Sequence, residues 1–330
     1  MKKYILSIAI LLLSFININS VTAQTKKKPN ILFIAVDDLK PILGCYGDKM
    51  IKTPNIDRIA KNGTLFMANY CQQAVCGPTR ASLMTGKRPD FTRIWDLKTK
   101  MRDINPDIVS LPQYLITQGY TTQGIGKVYD IRCVDKELDK PSWSVPYYAT
   151  DKNLYSKQTG EPAINYYQNP ETKRLAKIAL EEAYAKGLKG EPAVTDALIR
   201  VKPSVEGIDV PDDAYVDGVH AKMAKDILIK LSKEKEPFFF AVGFSKPHLP
   251  FVSPKKYWDL YDREKMPIAE YQQPTENAVD IAYHNAGELR AYTDIPALAS
   301  FTDQKPGLTL PIDKQKESNV FNTKPICASV

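Results

Sequence analysis

Beyond its first residues the chain lacks any apolar run of membrane-spanning length, and it lacks blocks of like charge, zinc-type cysteine spacing, internal repeats and low-complexity tracts. Each absence excludes a class of function. A bilayer-crossing helix needs about 20 apolar residues, whereas the run from Tyr4 to Ile16 is shorter and follows Met1-Lys2-Lys3. With Val21-Thr22-Ala23 before Gln24, residues 1–23 have the layout of a cleaved secretory signal peptide, a signal anchor being the alternative. The expectation is export to the periplasm or outside the cell, with no stable membrane insertion. No cysteine follows the small residues, which argues against a lipid anchor. The formal charge of +7 loses two with Lys2 and Lys3, leaving +5, and is spread without a basic block. That pattern argues against nucleic acid and mildly favours an anionic partner. Five cysteines (Cys45, Cys71, Cys76, Cys133 and Cys327) in an exported chain could form bridges, but the odd count leaves at least one over.

The remainder has the composition of one large α/β domain. Ile31 to Val36 is a continuous apolar run of strand length, expected to be buried on both faces as in a parallel sheet, and it ends in Asp37-Asp38. A helix is predicted from Pro54, with Thr53 as N-cap, Ile56, Ile59 and Ala60 on one face and Gly63 as the stop. A second strand is predicted near Leu65 to Met67, then a helix from Leu111 to Thr117 closed by Gly119. A short strand from Thr121 to Ile125 leads into Gly126-Lys127. Ser142 to Pro211 reads as a long insertion with one helix near Leu175 to Ala185, a place for substrate contacts. Val219, Met223, Ile227 and Leu231 lie at helical spacing, and Pro237 to Phe244 is another buried-strand run that empties into Lys246-Pro247-His248. The alternation implies a mostly parallel sheet flanked by helices.

Ligands of open α/β sheets bind beyond the carboxyl ends of the strands, where this chain places Asp37-Asp38, Lys127 and His248. The two adjacent carboxylates are either a turn cap and a solvated neighbour or a site for a hard divalent cation. Lys127 and His248, taken singly, are equally compatible with a solvated lysine and a satisfied histidine. Cys76 stands apart. Its CxPxR register with Pro78 and Arg80, followed by a helix turn at Ala81 to Met84, sets a nucleophile beside a positive helix end and a forked cation suited to tetrahedral oxyanions. A packed thiol, half of a disulfide and a residue rewritten after translation are the three readings of Cys76.

The stretch Cys76-Gly77-Pro78-Thr79-Arg80 resembles the signature of the type I sulfatase family, whose cysteine is converted to Cα-formylglycine. Together "NILFIAVDDLKPILGCYG", "TPNIDRIAKNGTLFMANYCQQAVCGPTRASLMTGKRPDFTRIWD", "GIGKVYD", "SWSVPYY" and "FFFAVGFSKPHLPFVSPKKYWDLY" are similar to its iduronate-2-sulfatase branch and bacterial relatives, from about Lys28 to Gln315. The resemblance implies an alkaline-phosphatase-like α/β fold and hydrolysis of a sulfate ester, on a glycosaminoglycan sugar or on another ester such as choline sulfate. It further implies Ca2+ held by Asp37, Asp38 and the modified Cys76. Arg80 would hold the formylglycine hydroxyl, Lys127 would bind the sulfate, and His248 would contact the sulfate or protonate the leaving alcohol. The partners implied are a sulfated glycan and a maturation enzyme, either formylglycine-generating or anaerobic sulfatase-maturating.

The chain departs from that pattern in two places. Asp130 stands where the family has a histidine three residues after the lysine, and no Asp is followed directly by His or Asn, the pair expected to complete the metal site. Family-like text stops near Gln315, and residues 316–330 read as a non-family tail without helical periodicity. The expectation is therefore a catalytic domain over 24–315 that lacks its C-terminal subdomain, in a truncated or frame-shifted product. An inactive fragment that at most binds anionic glycans is the alternative function.

Overall fold

The structure, a computed structural model, describes residues 27–149, 167–268, 270, 277, 279, 287–296 and 311–322. The signal-peptide segment, Cys327, the middle of the insertion and most of the tail lie outside these residues. The chain divides into Met1–Asn30 and Ile31–Val330, and the statements below concern the second unit. Its main elements are β1 (Ile31–Val36), α1 (Pro54–Asn62), α2 (Cys76–Thr85), α3 (Leu111–Thr117), β2 (Thr121–Gly126), α4 (Pro170–Ala185) and α5 (Gly190–Arg200). They continue with β3 (Val205–Ile208), α6 (Val216–Leu231), β4 (Phe238–Phe244), β5 (Phe251–Pro254) and α7 (Ile312–Asn322).

β1, β4 and β2 form one parallel sheet in that order, with Val36 opposite Phe244 and Gly126 opposite Gly243. The register brings the carboxyl ends of the three strands level. β3 and β5 pair as a separate parallel ladder. β4 is buried along its whole length because both faces are covered. Phe239 and Ala241 pack with Met84, Leu115, Tyr129, Trp143 and Tyr147, while Phe238, Phe240, Val242 and Phe244 pack with Ile125 and with Ala224 and Leu231 of α6. Each buried Phe contributes roughly 1.5–3 kcal/mol by leaving water, so β4 is the spine of the sheet.

The predicted parallel sheet and the helices at 54–62, 111–117 and 216–231 are present. Several details differ. β1 is not buried on both faces: Leu32 is 44% and Ile34 39% exposed, because β1 is an edge strand among the described residues and α6 packs chiefly on β4 and β2. Leu65 to Met67 is not a strand, since no neighbouring strand among the described residues offers it a ladder, and Phe66 and Met67 face solvent. Thr53 occupies the cap position of α1 without capping it. Its hydroxyl instead donates to Asp57 Oδ1 at 2.8 Å and accepts from Gly44 N at 2.9 Å. Ile59, predicted on the apolar face of α1, is exposed. Among its described residues the insertion holds two helices, α4 and α5, the first capped by Asn169, rather than one. α7 runs across the expected boundary at 315/316.

Candidate active site

The site is assembled by main-chain register before any side chain acts. Asp37 N donates to Phe244 O at 3.1 Å, and Lys127 N donates to Gly243 O at 2.9 Å, so both residues leave the sheet alongside β4. That approach requires glycine. Gly126 has φ +73°, and a methyl there would strike Gly243 O, while a methyl on Gly243 would strike the Lys127–Val128 peptide. Cys76 begins α2, where Val75 is the cap residue with extended backbone, so Cys76 lies in the first turn with its unpaired amides.

Charge converges on Asp37. Its Oδ1 accepts from Arg80 Nη2 at 2.6 Å, and its Oδ2 pairs with Lys127 Nζ. Burial opposes ionisation of Asp37, but the Arg80 and Lys127 charges outweigh it and hold the carboxyl below its ordinary value. Arg80 Nη1 donates to Val128 O at 3.0 Å and to Lys127 O, so the buried guanidinium braces the loop that carries Lys127. Lys127 Nζ and Asp37 Oδ2 each lie 3.9 Å from Cys76 Sγ. Burial pushes the Cys76 thiol up, helped by repulsion from Asp37, Asp38 and Asp130 and opposed by Lys127. An unmodified Cys76 is therefore mostly a protonated thiol near neutral pH, a weak nucleophile.

Asp38 turns outward with φ 53°, a left-handed conformation that Asp tolerates. Partial desolvation of its carboxyl end, with Asp37 next to it, pushes its pKa up. His248 bonds Leu249 O through Nδ1 at 2.7 Å, which assigns the Nδ1 proton, and its Nε2 lies 3.4 Å from Glu288 Oε1. Asp37, Cys76 and His248 offer ligand atoms within 4.8 Å of one another, an arrangement able to hold a metal ion, and Asp38 is not part of that group. The structure thus brings Asp37, Cys76, Arg80, Lys127 and His248 together and leaves Asp38 at the mouth.

Four residues of this neighbourhood were not legible as site residues. Arg132 clasps buried Asp130 through N at 3.0 Å, Nε at 2.9 Å and Nη2 at 2.7 Å. Burial opposes ionisation of Asp130, yet the Arg132 bonds lower its pKa, so Asp130 is a carboxylate committed to Arg132. Asp217, in the first turn of α6, accepts from Ser245 N at 2.9 Å and Lys246 N at 2.7 Å. Lys246 is buried, and its ammonium donates to His248 O at 2.8 Å and Pro250 O at 2.7 Å. Burial pushes this lysine down to about 8. Together Asp217 and Lys246 shape the loop that presents His248. Glu288 is the fourth, and no motif marks it. A buried lysine following an apolar strand was the one available signal, because a lysine there needs acceptors.

The described cysteines Cys45, Cys71, Cys76 and Cys133 are free thiols, and no helix among the described residues is long and apolar enough to cross a membrane. A family model described as Sulfatase matches residues 29–304. Iduronate 2-sulfatase of Homo sapiens is 33% identical over 290 residues, covering 87% of this chain and 47% of the relative. A sulfatase of Formosa agariphila is 31% identical, covering 76% and 45% respectively. The crystal structure of Ps i-CgsB superposes with a TM-score of 0.51 at 25% identity over 72% of this chain and 49% of that one. A phosphonate monoester hydrolase from Silicibacter pomeroyi gives a TM-score of 0.53 at 17% identity over 92% and 57%, a likeness of fold alone. The chain spans about half the length of the curated relatives it matches.

Proposed function

The chain belongs to the sulfatase family, and from that premise we propose that it hydrolyses the sulfate ester of a sulfated sugar, in the manner of an iduronate 2-sulfatase, after conversion of Cys76 to formylglycine. The observation that carries this reading is the meeting of Asp37, Cys76, Arg80 and Lys127 at the level carboxyl ends of β1, β2 and β4. Maturation would remove Sγ and oxidise Cβ to an aldehyde, using a maturation enzyme with an external oxidant. Water adds to the aldehyde to give two hydroxyls on one carbon. One hydroxyl attacks sulfur and the ester S–O bond breaks, the alcohol leaving with a proton from His248. The second hydroxyl then loses its proton, the bond from carbon to the sulfate oxygen breaks, and the aldehyde returns as sulfate departs.

Lys127 and Arg80 supply positive charge where the sulfuryl group is transferred. The donors fit a hard divalent cation such as Ca2+: Asp37 and Asp38 bring carboxylate oxygens, conversion replaces the Cys76 sulfur by oxygen, and Asp38 has no ion pair among the described residues. When bound, the ion would polarise the sulfate oxygens. Export to the periplasm or outside the cell accompanies this reading.

One observation favours a second reading, binding of anionic glycans without turnover. Among the described residues the group able to hold an ion contains three members, whereas calcium takes about 6–8 oxygen ligands. Two measurements decide. The mass of the Cys76 peptide from the native host is expected to show the aldehyde, and an intact thiol would sink the modification. Sulfate release from a sulfated disaccharide with calcium present is expected, and its absence in matured protein would favour the second reading.

A further inference from the structure

The segment Lys87 to Lys100 follows the nucleophile's helix and carries five basic residues against two acidic ones. Its inward residues Thr92 and Ile94 are fully buried, so Arg93 and Trp95 alternate outward from an anchored backbone. Trp95 is 53% and Phe91 57% exposed. Lys87 Nζ sits 5.1 Å from the Phe91 ring centroid. Arg80, Arg102, Arg132, Arg174 and Arg200 all hold carboxylates, whereas Arg88 and Arg93 are exposed and have no ion pair among the described residues. Arg93 also has φ 57°, a conformation that costs a non-glycine residue of the order of 1 kcal/mol. Of the two acids, Asp96 is occupied with Lys98 N at 2.9 Å and Thr99 N at 2.7 Å.

Part of this strip packs beside the start of the nucleophile's helix. Gln73 Nε2 donates to Trp95 O at 3.0 Å. A methyl on Gly77, the residue after Cys76, would stand 3.0 Å from Asp96 O and 3.3 Å from Leu97 Cδ2. Trp95 to Leu97 are thus packed on the start of α2, and their outward neighbours flank it.

We propose that Arg93, Trp95 and Arg88 form a binding subsite for the part of a sulfated oligosaccharide next to the sugar that enters the Cys76 site. The inference rests on the sulfatase reading for its substrate class. An exposed indole offers a face for the C–H surface of a sugar ring, and a guanidinium fork matches the paired oxygens of a sulfate or carboxylate. Nucleic acid fits less well, because the chain elsewhere has no basic block to follow a long backbone.

The test titrates a heparin-derived hexasaccharide, its desulfated counterpart and an equally charged oligonucleotide into the full chain by calorimetry. The variants are Arg93→Ala, Trp95→Ala, Trp95→Phe and Arg88→Ala/Arg93→Ala, with Lys233→Ala as a remote control. The subsite predicts that the hexasaccharide binds better than either comparison ligand. Arg93→Ala and Trp95→Ala should each weaken it about 5- to 10-fold, Trp95→Phe should retain most of the binding, and the double variant should have the shallower salt dependence. Thermal midpoints equal to the parent's confirm folding, as expected for exposed positions. No hexasaccharide binding by the parent, equal binding of the oligonucleotide, or variants indistinguishable from Lys233→Ala would each overturn the subsite. Variant-sensitive binding without any sulfate release leaves the subsite standing and removes the hydrolytic reading. Sulfate release with variant-insensitive binding does the reverse.

Discussion

Asp37 and Asp38 leave the same strand, yet Asp37 is buried between Arg80 and Lys127, whereas Asp38 turns to solvent at φ 53° with no ion pair among the described residues. The difference separates two halves of the site. On the Asp37 side, the carboxylate that follows β1 is matched by Lys127 after β2 and by Arg80 of α2, so that each carboxylate oxygen has its own cation. On the Asp38 side, the groups are Asp38, His248 and Glu288, delivered by a turn, a loop and a short helix, and they meet at longer range. Matched charge holds a backbone in place. Unmatched charge is available to a ligand.

The comparison breaks first at Arg80. Arg80→Met removes the guanidinium from Asp37 Oδ1 and from two carbonyls, leaving a buried carboxylate with one partner. A loss of about 3–5 kcal/mol in unfolding free energy is expected from urea titration. Arg80→Lys should recover only part of it, because an ammonium cannot span Asp37 and the carbonyls as a planar fork does.

A pH series sharpens the contrast with a group that has no hydrogen-bond partner among the described residues. His220 of α6 is fully buried, neither ring nitrogen has a hydrogen-bond partner among the described residues, and burial pushes its pKa from 6.5 down to about 4. Between those values the unfolded chain holds a proton that the folded chain refuses, so stability falls as pH drops from 6.5 towards 4 and is unaffected by His220 above that window. The full contribution is on the order of 3 kcal/mol. His220→Leu is expected to flatten this part of the profile measured by thermal melts across pH 4–8, and an unchanged slope would contradict the assignment.

A smaller effect is expected on the open side. Lys246→Met keeps the packing but leaves His248 O and Pro250 O without their donor, for a loss of about 2 kcal/mol. Mass-resolved carbethoxylation of His248 should quicken at the same time, since the loop loses its internal tie. The least costly change is Asp38→Asn. Partial desolvation and the neighbouring Asp37 already disfavour its charge, so stability should stay within about 0.5 kcal/mol of the parent, while Asp37→Asn, measured beside it, should be far more destabilising. Equal effects of the two substitutions would erase the distinction between the halves.

Much of the matched half was legible from the sequence. Apolar runs at 31–36 and 238–244, the Pro54 and Leu111 helices and the CxPxR register are local signals with a period or a spacing, and these strands and helices lie where their patterns indicated. The open half was less legible for a physical reason. Lys246 finds carbonyls two and four residues on through a folded-back loop, Asp217 reaches amides 28 and 29 residues away, and Glu288 meets His248 across 40 residues of chain. No periodicity records such contacts. Leu65 to Met67 fails in the opposite direction: its composition suits a strand, but a strand exists only with a neighbour to pair with, and composition does not reveal whether one is present.

The close approach of β2 and β4 at Gly126 and Gly243 has a consequence for how this chain can vary. Charged residues at the mouth can be exchanged with graded effects, because water and counterions adjust around them. Gly243 faces the Lys127–Val128 peptide with no room for a single methyl. In a saturation scan scored by soluble yield, tolerance should therefore be narrow at Gly126 and Gly243, while Asp38 and the outward face of residues 87–100 should accept most replacements.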